Sequence, residues 1–264
     1  MSLSAYIDGI GLLGPGLNGW PDSQAVLRGS APYQPQKTIL PAPQILPAAE
    51  RRRAGMIVKL TLATGIEAVN AARMEPASLP IVFSASGGDG ENCHAICETL
   101  ASDDRQISPT RFHNSVHNAA AGYWSIATGA MASASVLCAY DASFGAGLLE
   151  ALTQTNVDQT RCLLLACDAP YPEPLHSARP ILDAFGIALA LSPERSPASL
   201  AQIALSFTET AANTLDNPAL DALRKGIPAA RGLPLLAAIA QRQAQRVVLD
   251  YLEPSRLAVD ISPC

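Results

Sequence analysis

The stretch of residues 133–152 constrains the fold of this chain most. Its first half, 133–140, is uncharged and consists of small and apolar residues, which predicts a buried β-strand. Its second half, 143–152, places apolar residues at helical spacing. The sequence therefore predicts a strand that turns sharply into a helix at Asp141, Ala142 and Ser143, where small side chains permit a tight corner. Many enzymes hold a nucleophile at such a corner, and here the corner holds an aspartate.

Composition and charge exclude several classes of function. A length of 264 residues with 48% hydrophobic and 16% charged residues predicts a folded chain with one large α/β domain or two small ones. A net charge of -5 provides no basic field for nucleic acid, and the basic run Arg51-Arg52-Arg53 is interpreted as a solvated helix face. No apolar stretch is long enough for a membrane span, and the first residues lack the pattern of a secretory signal. We expect no nucleic-acid binding, no stable membrane insertion and a cytoplasmic location.

The pattern of cysteines, histidines and glycines predicts neither a metal nor a cofactor. Cys93, His94 and Cys97 occupy one helical turn without a second ligand pair, and the loop 85–91 lacks the lysine of a phosphate-binding loop. We interpret that loop as a turn into a helix at about 92–101. The six cysteines form no paired C-x-x-C motifs and are predicted to be reduced, small core residues; they are Cys93, Cys97, Cys138, Cys162, Cys167 and Cys264.

The segment 108–130 carries the densest set of polar and aromatic side chains. His113 and His117 are four residues apart and would share a face if the chain were helical there. The segment has neither the H-E-x-x-H pattern nor a third ligand, so a structural or pocket-lining role is favoured over zinc binding. A catalytic histidine beside a nucleophile stays open as an alternative.

The remaining chain predicts an alternation of strands and helices. The expected strands are 3–12, 79–84, 161–168, 183–191, 200–208, 247–251 and 257–261, with 183–191 and 200–208 as antiparallel neighbours. The expected helices are a short one near 23–28, then 48–74, 119–130, 218–224 and 233–242.

This order of elements resembles the N-terminal half of the thiolase-like fold of β-ketoacyl synthases. The resemblance rests on S-P-T-x-F-x-N at 108–114, D-A-S-F-G-A-G-L-L-E-A at 141–151, and C-D-A-P-Y at 167–171 followed by D-A-F-G-I-A-L-A-L at 183–191. It implies an α/β fold with a mixed, mostly parallel sheet covered by helices. It also implies a synthase-like domain at 1–210, with 211–264 as a helical and short-strand extension packed on the same domain.

The resemblance also implies a degenerate nucleophile elbow. Matching the synthase pattern C-A-[ST]-G places Asp141 where the enzyme has its cysteine, with Ala142 and Ser143 beside it, whereas Cys138 falls three residues early. The histidine motifs of the family, H-G-T-G-T and N-S-F-G-F-G-G, do not occur. A carboxylate is a poor acyl carrier and would repel a malonyl anion, so we assign no catalytic residue and favour a structural role for Asp141.

The resemblance is greatest to short chain-length factors of type II fatty acid, polyketide and aryl-polyene-like systems. It implies a catalytically silent subunit that pairs with an active ketosynthase, meets an acyl carrier protein and shapes the tunnel for the acyl chain. We expect half a thiolase-like fold to leave an apolar sheet face and an edge uncovered, with the elbow helix and the small-residue helix at the interface. For Phe144, Tyr123 and Trp124, setting tunnel depth and ordinary core packing are about equally favoured. The tunnel or interface candidates are His113, Asn114, His117, Tyr123, Trp124 and Phe144.

Two other functions fit the same residues. The first is a self-sufficient acyltransferase or ketosynthase-like enzyme that uses Cys138 or Ser143 with His113 or His117. The second is a non-enzymatic scaffold that docks a carrier protein and has no acyl tunnel.

Overall fold

Nine strands share one sheet in the computed structural model, which describes residues 3–264. The strands are β1 Leu3–Gly14, β2 Leu17–Asn18, β3 Ile81–Ser84, β4 Ala134–Leu137, β5 Cys162–Asp168, β6 Phe185–Ser192, β7 Ala201–Thr208, β8 Gln245–Leu249 and β9 Arg256–Pro263. The helices are α1 Trp20–Leu27, α2 Ala48–Arg53, α3 Met56–Ala72, α4 Gly90–Ala101, α5 Pro109–His113, α6 Ala119–Thr128, α7 Ser143–Val157, α8 Leu175–Ala178, α9 Pro218–Gly226 and α10 Leu233–Gln241. Short 3-10 turns lie at Pro76–Ser78, Tyr140–Ala142 and Pro228–Gly232.

The order of the strands is β4-β3-β5-β6-β1-β7-β9-β8, with β2 beside β1. The predicted α/β class and mixed sheet are confirmed, but the prediction of a mostly parallel sheet is wrong. Only β3 pairs in parallel, with β4 and β5, and the other pairings are antiparallel. β1 lies between β6 and β7 and runs antiparallel to both, and the pairs β5–β6, β7–β9 and β8–β9 are antiparallel as well. Because β1 separates β6 from β7, the expectation that these two strands are neighbours is wrong.

Helices cover both faces of the sheet. On one face α7, α10 and the turn Pro228–Gly232 close an apolar core, and on the other face α3 and α6 close a second one. The second core requires α3 to lie directly on β1. Gly9 and Gly11 permit this contact, because a Cβ atom at either position would overlap the backbone of α3 at Ala68 or Thr64.

The predicted long helix at 48–74 is two helices, α2 and α3. The chain is extended at Ala54 and Gly55, between the two helices. The carboxylate of Asp89 lies against Gly55, where a Cβ atom would collide with it. The break at Gly55 therefore leaves space for the side chain of Asp89, which caps the N-terminus of α4.

The residues after 210 extend the same sheet. β9 pairs with β7 along eight positions from Ala201 to Thr208, and β8 pairs with the outer side of β9. α10 packs on β8 and β9, and α9 leads into the turn Pro228–Gly232. This segment supplies part of the core on the α7 side of the sheet.

The surface that the helices leave uncovered differs from the expected apolar face. Beyond β1, on the face where α3 and α6 pack, β7 presents half-buried Gln202, Ala204 and Ser206, so this part of the sheet is polar or small. The expectation that the strand before the corner is buried is also wrong. β4 forms one edge of the sheet, and its burial ranges from exposed at Ala134 to intermediate at Leu137.

The cysteines are unpaired, but only two lie in the core. Cys162 and Cys167 are buried in β5, and burial raises the pKa of both thiols to about 12, so both are neutral. The prediction of core positions is wrong for the other four, which lie on an exposed helix surface, after the edge strand β4 and at the last residue; they are Cys93, Cys97, Cys138 and Cys264. Within residues 3–264, no helix has the length and apolarity that crossing a membrane requires.

Candidate functional site at the ends of the parallel strands

The candidate site lies where β3, β4 and β5 end. These strands are parallel, so their carboxyl ends meet at one side of the sheet, which is where α/β folds place functional loops. The segment after β3 begins at Ala85, the segment after β4 leads through the corner into α7, and the segment after β5 begins at Ala169. The turn Pro228–Gly232 packs beside them.

The corner after β4 is built as a tight turn. The 3-10 turn Tyr140–Ala142 joins β4 to α7, and Tyr140 adopts a left-handed conformation with φ 52°. Ser143 fixes the turn, because its Oγ donates to the Tyr140 carbonyl at 2.7 Å and accepts from the Ala139 amide at 3.1 Å. The strained residue is therefore Tyr140, one position before Asp141.

Two arginines hold the carboxylate of Asp141. Arg179 donates from Nη2 to Oδ1 at 3.0 Å, and Arg231 donates from Nη2 to Oδ2 at 3.1 Å. The Arg179 guanidinium also stacks 3.4 Å above the ring of Tyr140. The side chain of Asp141 is 44% exposed, whereas those of Arg179 and Arg231 are 16% and 19% exposed.

The ion pairs continue away from the corner. Arg231 Nη1 lies 4.0 Å from Asp250 Oδ1, and Asp250 pairs with Arg224 at 2.6 Å. Arg224 in turn binds Asp221 at 2.7 Å. Sequence reasoning missed these partners of Asp141, since Arg179 and Arg231 lie 38 and 90 residues further along the chain and belong to no recognisable motif.

A buried carboxylate lies behind the corner. Asp168, 3% exposed at the end of β5, accepts at Oδ1 from the amide and hydroxyl of Ser86, at 2.8 and 2.6 Å, and at Oδ2 from the amide of Ala229 at 2.8 Å. Burial raises the pKa of the Asp168 carboxyl to about 6, although these hydrogen bonds favour the charged form. The carboxylate therefore joins the loop after β3, the end of β5 and the turn Pro228–Gly232.

The glycine-rich loop after β3 accommodates an aromatic side chain. A Cβ atom at Gly87 or Gly90 would collide with the ring or hydroxyl of Tyr171. Asp89 caps the following helix by accepting from the Asn92 amide at 3.0 Å, and α4 begins at Gly90. The glycines are thus explained by packing, and the loop leads into a helix as the sequence predicts.

The two candidate histidines do not share a helix face. α5 ends at His113, and a turn separates it from His117, so the helical condition for a shared face is not met. His113 is exposed, whereas His117 is half-buried with its ring centroid 6.4 Å from that of Phe83. Burial lowers the pKa of His117, which favours the neutral imidazole.

Asn114 ties the histidine segment to its neighbours. Its side-chain nitrogen donates to the Arg53 carbonyl at 3.3 Å, and its oxygen accepts from the Tyr123 hydroxyl at 3.3 Å. Asn114, His113 and Tyr123 line one cleft of about 220 Å³ between α5 and α6. His117 lines a smaller neighbouring pocket with Gly88 and Asp89.

The three bulky candidates occupy the cores. Trp124 and Leu165 both pack against Gly65 on the α3 side of the sheet, and Phe144 packs against Gly232 on the opposite side. Tyr123 is buried beside Trp124 in the α3-side core, and a role of these rings in tunnel depth stays a prediction. Among residues 3–264, no three side chains of the types His, Cys, Asp and Glu are grouped so that they could hold a metal ion.

Comparison with known proteins identifies both a sequence family and a set of similar folds. The family model described as β-ketoacyl synthase, N-terminal domain, matches residues 22–251. No curated protein sequence matches significantly. A chain of the ketosynthase (ApeO) in complex with its chain length factor (ApeC) from Xenorhabdus doucetiae is similar, with 21% identity, a TM-score of 0.74, and coverage of 98% of this chain and 99% of that chain.

Two further solved structures give similar values. A chain of the ishigamide ketosynthase/chain length factor has 13% identity, a TM-score of 0.73, and coverage of 98% and 99% of this and that chain. A chain of AntDE:AntF, a type II polyketide synthase acyl carrier protein in complex with its ketosynthase bound to the hexaketide, has 12% identity, a TM-score of 0.74 and coverage of 100% of both chains. These likenesses show the thiolase-like fold of ketosynthases over the length of the chain.

Proposed function

Because this chain belongs to the family of β-ketoacyl synthase N-terminal domains, we propose that it is a catalytically silent, chain-length-factor-like subunit. It pairs with an active ketosynthase, receives substrates from an acyl carrier protein through that partner, and helps to shape the tunnel for the growing chain. The pathway is of the type II fatty acid, polyketide or aryl-polyene class, in the cytoplasm. The similarity to chains of ketosynthase and chain length factor complexes supports this choice.

The observation that carries the proposal is the state of the corner carboxylate. Acyl transfer at an elbow requires a nucleophile that is activated by a base and free to reach a thioester. Asp141 instead accepts hydrogen bonds from Arg179 and Arg231, which stabilise its charge and reduce its nucleophilicity. Ser143, the serine of the corner, is 1% exposed and is engaged within the turn.

The free edge of β4 supports the pairing with another protein. Ser133 and Leu137 direct their carbonyls to β3, so by the alternation of a parallel ladder the amides of Ala134 and Val136 point outward. An unpaired strand of small, uncharged residues is a template for β-sheet pairing with a second chain.

Exposed apolar side chains lie close to this edge in the chain. They belong to the segment before α6, to α6, to the loop before β4 and to the corner, and they are Val116, Ile126, Met131 and Tyr140. α7 adds a half-exposed stripe at Ala146, Leu149 and Thr153. Exposed apolar side chains are typical of protein interfaces, and those on α6 and α7 support an interface that includes these two helices.

Co-expression with a ketosynthase from the same gene neighbourhood tests the pairing. We expect one mixed complex in size-exclusion chromatography, with both chains in equal amounts. Self-association of this chain without a mixed complex would contradict the proposal and favour the carrier-docking scaffold.

Acyl loading tests the catalytic silence. We expect no mass increase when the purified chain is incubated with a malonyl- or acyl-loaded carrier protein. A covalent adduct that disappears in Cys138→Ala or in His117→Ala would overturn the proposal and support the self-sufficient enzyme. Loss of the adduct in Ser143→Ala would identify the second candidate nucleophile, and circular dichroism of this variant verifies the fold, because Ser143 also fixes the corner.

A further inference from the structure

The corner carboxylate and a second carboxylate, Asp168, bind the same turn without touching each other. Arg231 donates a hydrogen bond to Asp141, and Arg231 belongs to the turn Pro228–Gly232. Two residues before Arg231, the amide of Ala229 donates to Asp168 at 2.8 Å. The other oxygen of Asp168 is held by Ser86, so the turn is fixed to the loop after β3 through one side chain.

We propose that Asp168 is a positioning residue for the corner. It fixes the turn Pro228–Gly232 so that Arg231 can bind Asp141, and protonation of Asp168 weakens the hydrogen bond between Arg231 and Asp141. The geometry allows a single proton to act in this way. An ionised carboxylate accepts all three observed hydrogen bonds, whereas a protonated oxygen is a poor acceptor for an amide. In this proposal the proton lies on Oδ2, where Ala229 donates. A proton on Oδ1, accepted by the Ser86 hydroxyl, would leave the Ala229 bond unchanged, and an Ala229 amide that does not respond to pH would therefore overturn the proposal.

The surroundings of Asp168 make it the group in this cluster that responds to pH. Arg179 faces it from the loop after β5 and favours its charged form, and Cys167 on the same strand stays neutral because burial raises its pKa to about 12. Of the ionisable side chains on the neighbouring segments, Arg231 binds Asp141, Cys138 donates to the Ser86 carbonyl at 3.3 Å, and Asp183 accepts from the Thr38 amide at 3.0 Å. With burial raising the pKa of Asp168 to about 6, the carboxyl is ionised at pH 7.5 and largely protonated at pH 5.

Amide exchange and NMR shifts of the complete chain test this inference without any partner. In the wild type we expect the Ala229 amide and the Arg231 Nε–H signals to titrate together, with a midpoint near pH 6. In Asp168→Asn the amide group can still accept from Ser86 but presents N–H groups to Ala229. We therefore expect exchange of the Ala229 amide at pH 7.5 to become about tenfold faster, and the pH response of Arg231 to disappear.

Ser86→Ala is the matched control, because it removes the hydroxyl bond to Asp168 but leaves the Ala229 bond. It should preserve both the slow exchange of Ala229 and the titration of Arg231. A response of Ala229 without one of Arg231 would overturn the positioning role, and so would the absence of both responses. If Asp168→Asn fails to fold, the titration of the wild type alone decides the matter, and a failure of the ketosynthase pairing leaves this result unaffected.

Discussion

The two edges of the sheet differ in how their outward backbone groups are bonded. At the β8 edge, Asn213 makes two hydrogen bonds to Val248. The backbone amide of Asn213 donates to the Val248 carbonyl at 2.8 Å, and the side-chain oxygen of Asn213 accepts from the Val248 amide at 2.7 Å. Arg246 and Asp260 add a bidentate ion pair beside this edge, at 2.6 and 2.7 Å. At the β4 edge, the described chain places no comparable side chain on the outward amides, and Ala134 and Ser135 are small and uncharged.

This difference bears on which edge would pair with the partner proposed above. Exposed strand edges promote unwanted pairing, and proteins block them with loops, charges or bulges. The chain blocks β8 in this way and leaves β4 open next to the corner that carries Asp141. We infer that the open edge is selected for pairing, and three predictions test the contrast.

The largest expected effect is on the complex with a ketosynthase. Ala134→Pro removes an outward amide of β4 and places a ring at the edge, while the inward bonds to β3 are kept. We expect binding to weaken by about tenfold to a hundredfold, measured by titration calorimetry, because one interchain hydrogen bond is lost and the partner strand meets the ring. The stability of the chain alone should change little, since Ala134 is exposed.

Ala134→Val is the matched control for that substitution. It keeps the outward amide and suits an edge strand, so binding should stay within about threefold of the wild type. Equal affinity of the proline and valine variants would show that the partner does not use this edge.

The next effect concerns the ion pairs near each edge. Asp141→Ala leaves the largely buried guanidinium groups of Arg179 and Arg231 without their shared anion. We expect a loss of about 1–2 kcal/mol in the free energy of unfolding, reduced from the value of a buried pair because Asp141 is 44% exposed. Urea denaturation at neutral pH measures it.

Asp260→Ala provides the comparison at the β8 edge. Its partner Arg246 is 61% exposed, and the substitution should cost less than about 0.5 kcal/mol. If both substitutions lowered the free energy of unfolding by the same amount, the ion pairs at the corner would contribute no more stability than an ordinary surface pair.

The sequence predicts the corner and the family but not the surroundings of the corner. Hydrophobic spacing and small residues place the turn at 141–143, and local motifs at 108–114 and 141–151 carry the family resemblance. Arg179 and Arg231 reach Asp141 only through tertiary structure, so no local pattern reveals them. The order of strands fails for a related reason, because the insertion of β1 between β6 and β7 depends on pairings about 200 residues apart.

The hydrophobic periodicity of the sequence also does not predict that β4 is exposed. A short run of small and apolar residues is compatible with a strand inside a sheet as well as with one at its edge, since both are extended and uncharged. What distinguishes them is whether a second strand is available on the outer side. Here β3 pairs with β5 on its other side and β4 is the last strand, so half of its backbone groups remain unpaired.

The smallest effect comes from opening the blocked edge. Asn213→Ala removes the side-chain oxygen that accepts the Val248 amide, and we expect a loss of about 1 kcal/mol in the free energy of unfolding. Asn213→Asp keeps an acceptor at the same position and should retain most of the stability, as measured by urea denaturation. Sedimentation velocity then shows whether the opened edge pairs with a second copy of the chain. If the alanine variant stays as monodisperse as the aspartate variant, Asn213 contributes stability only. If the alanine variant associates, the Asn213 side chain also protects the β8 edge from pairing with another chain. The two edges would then differ in their tendency to pair and not only in their hydrogen bonds.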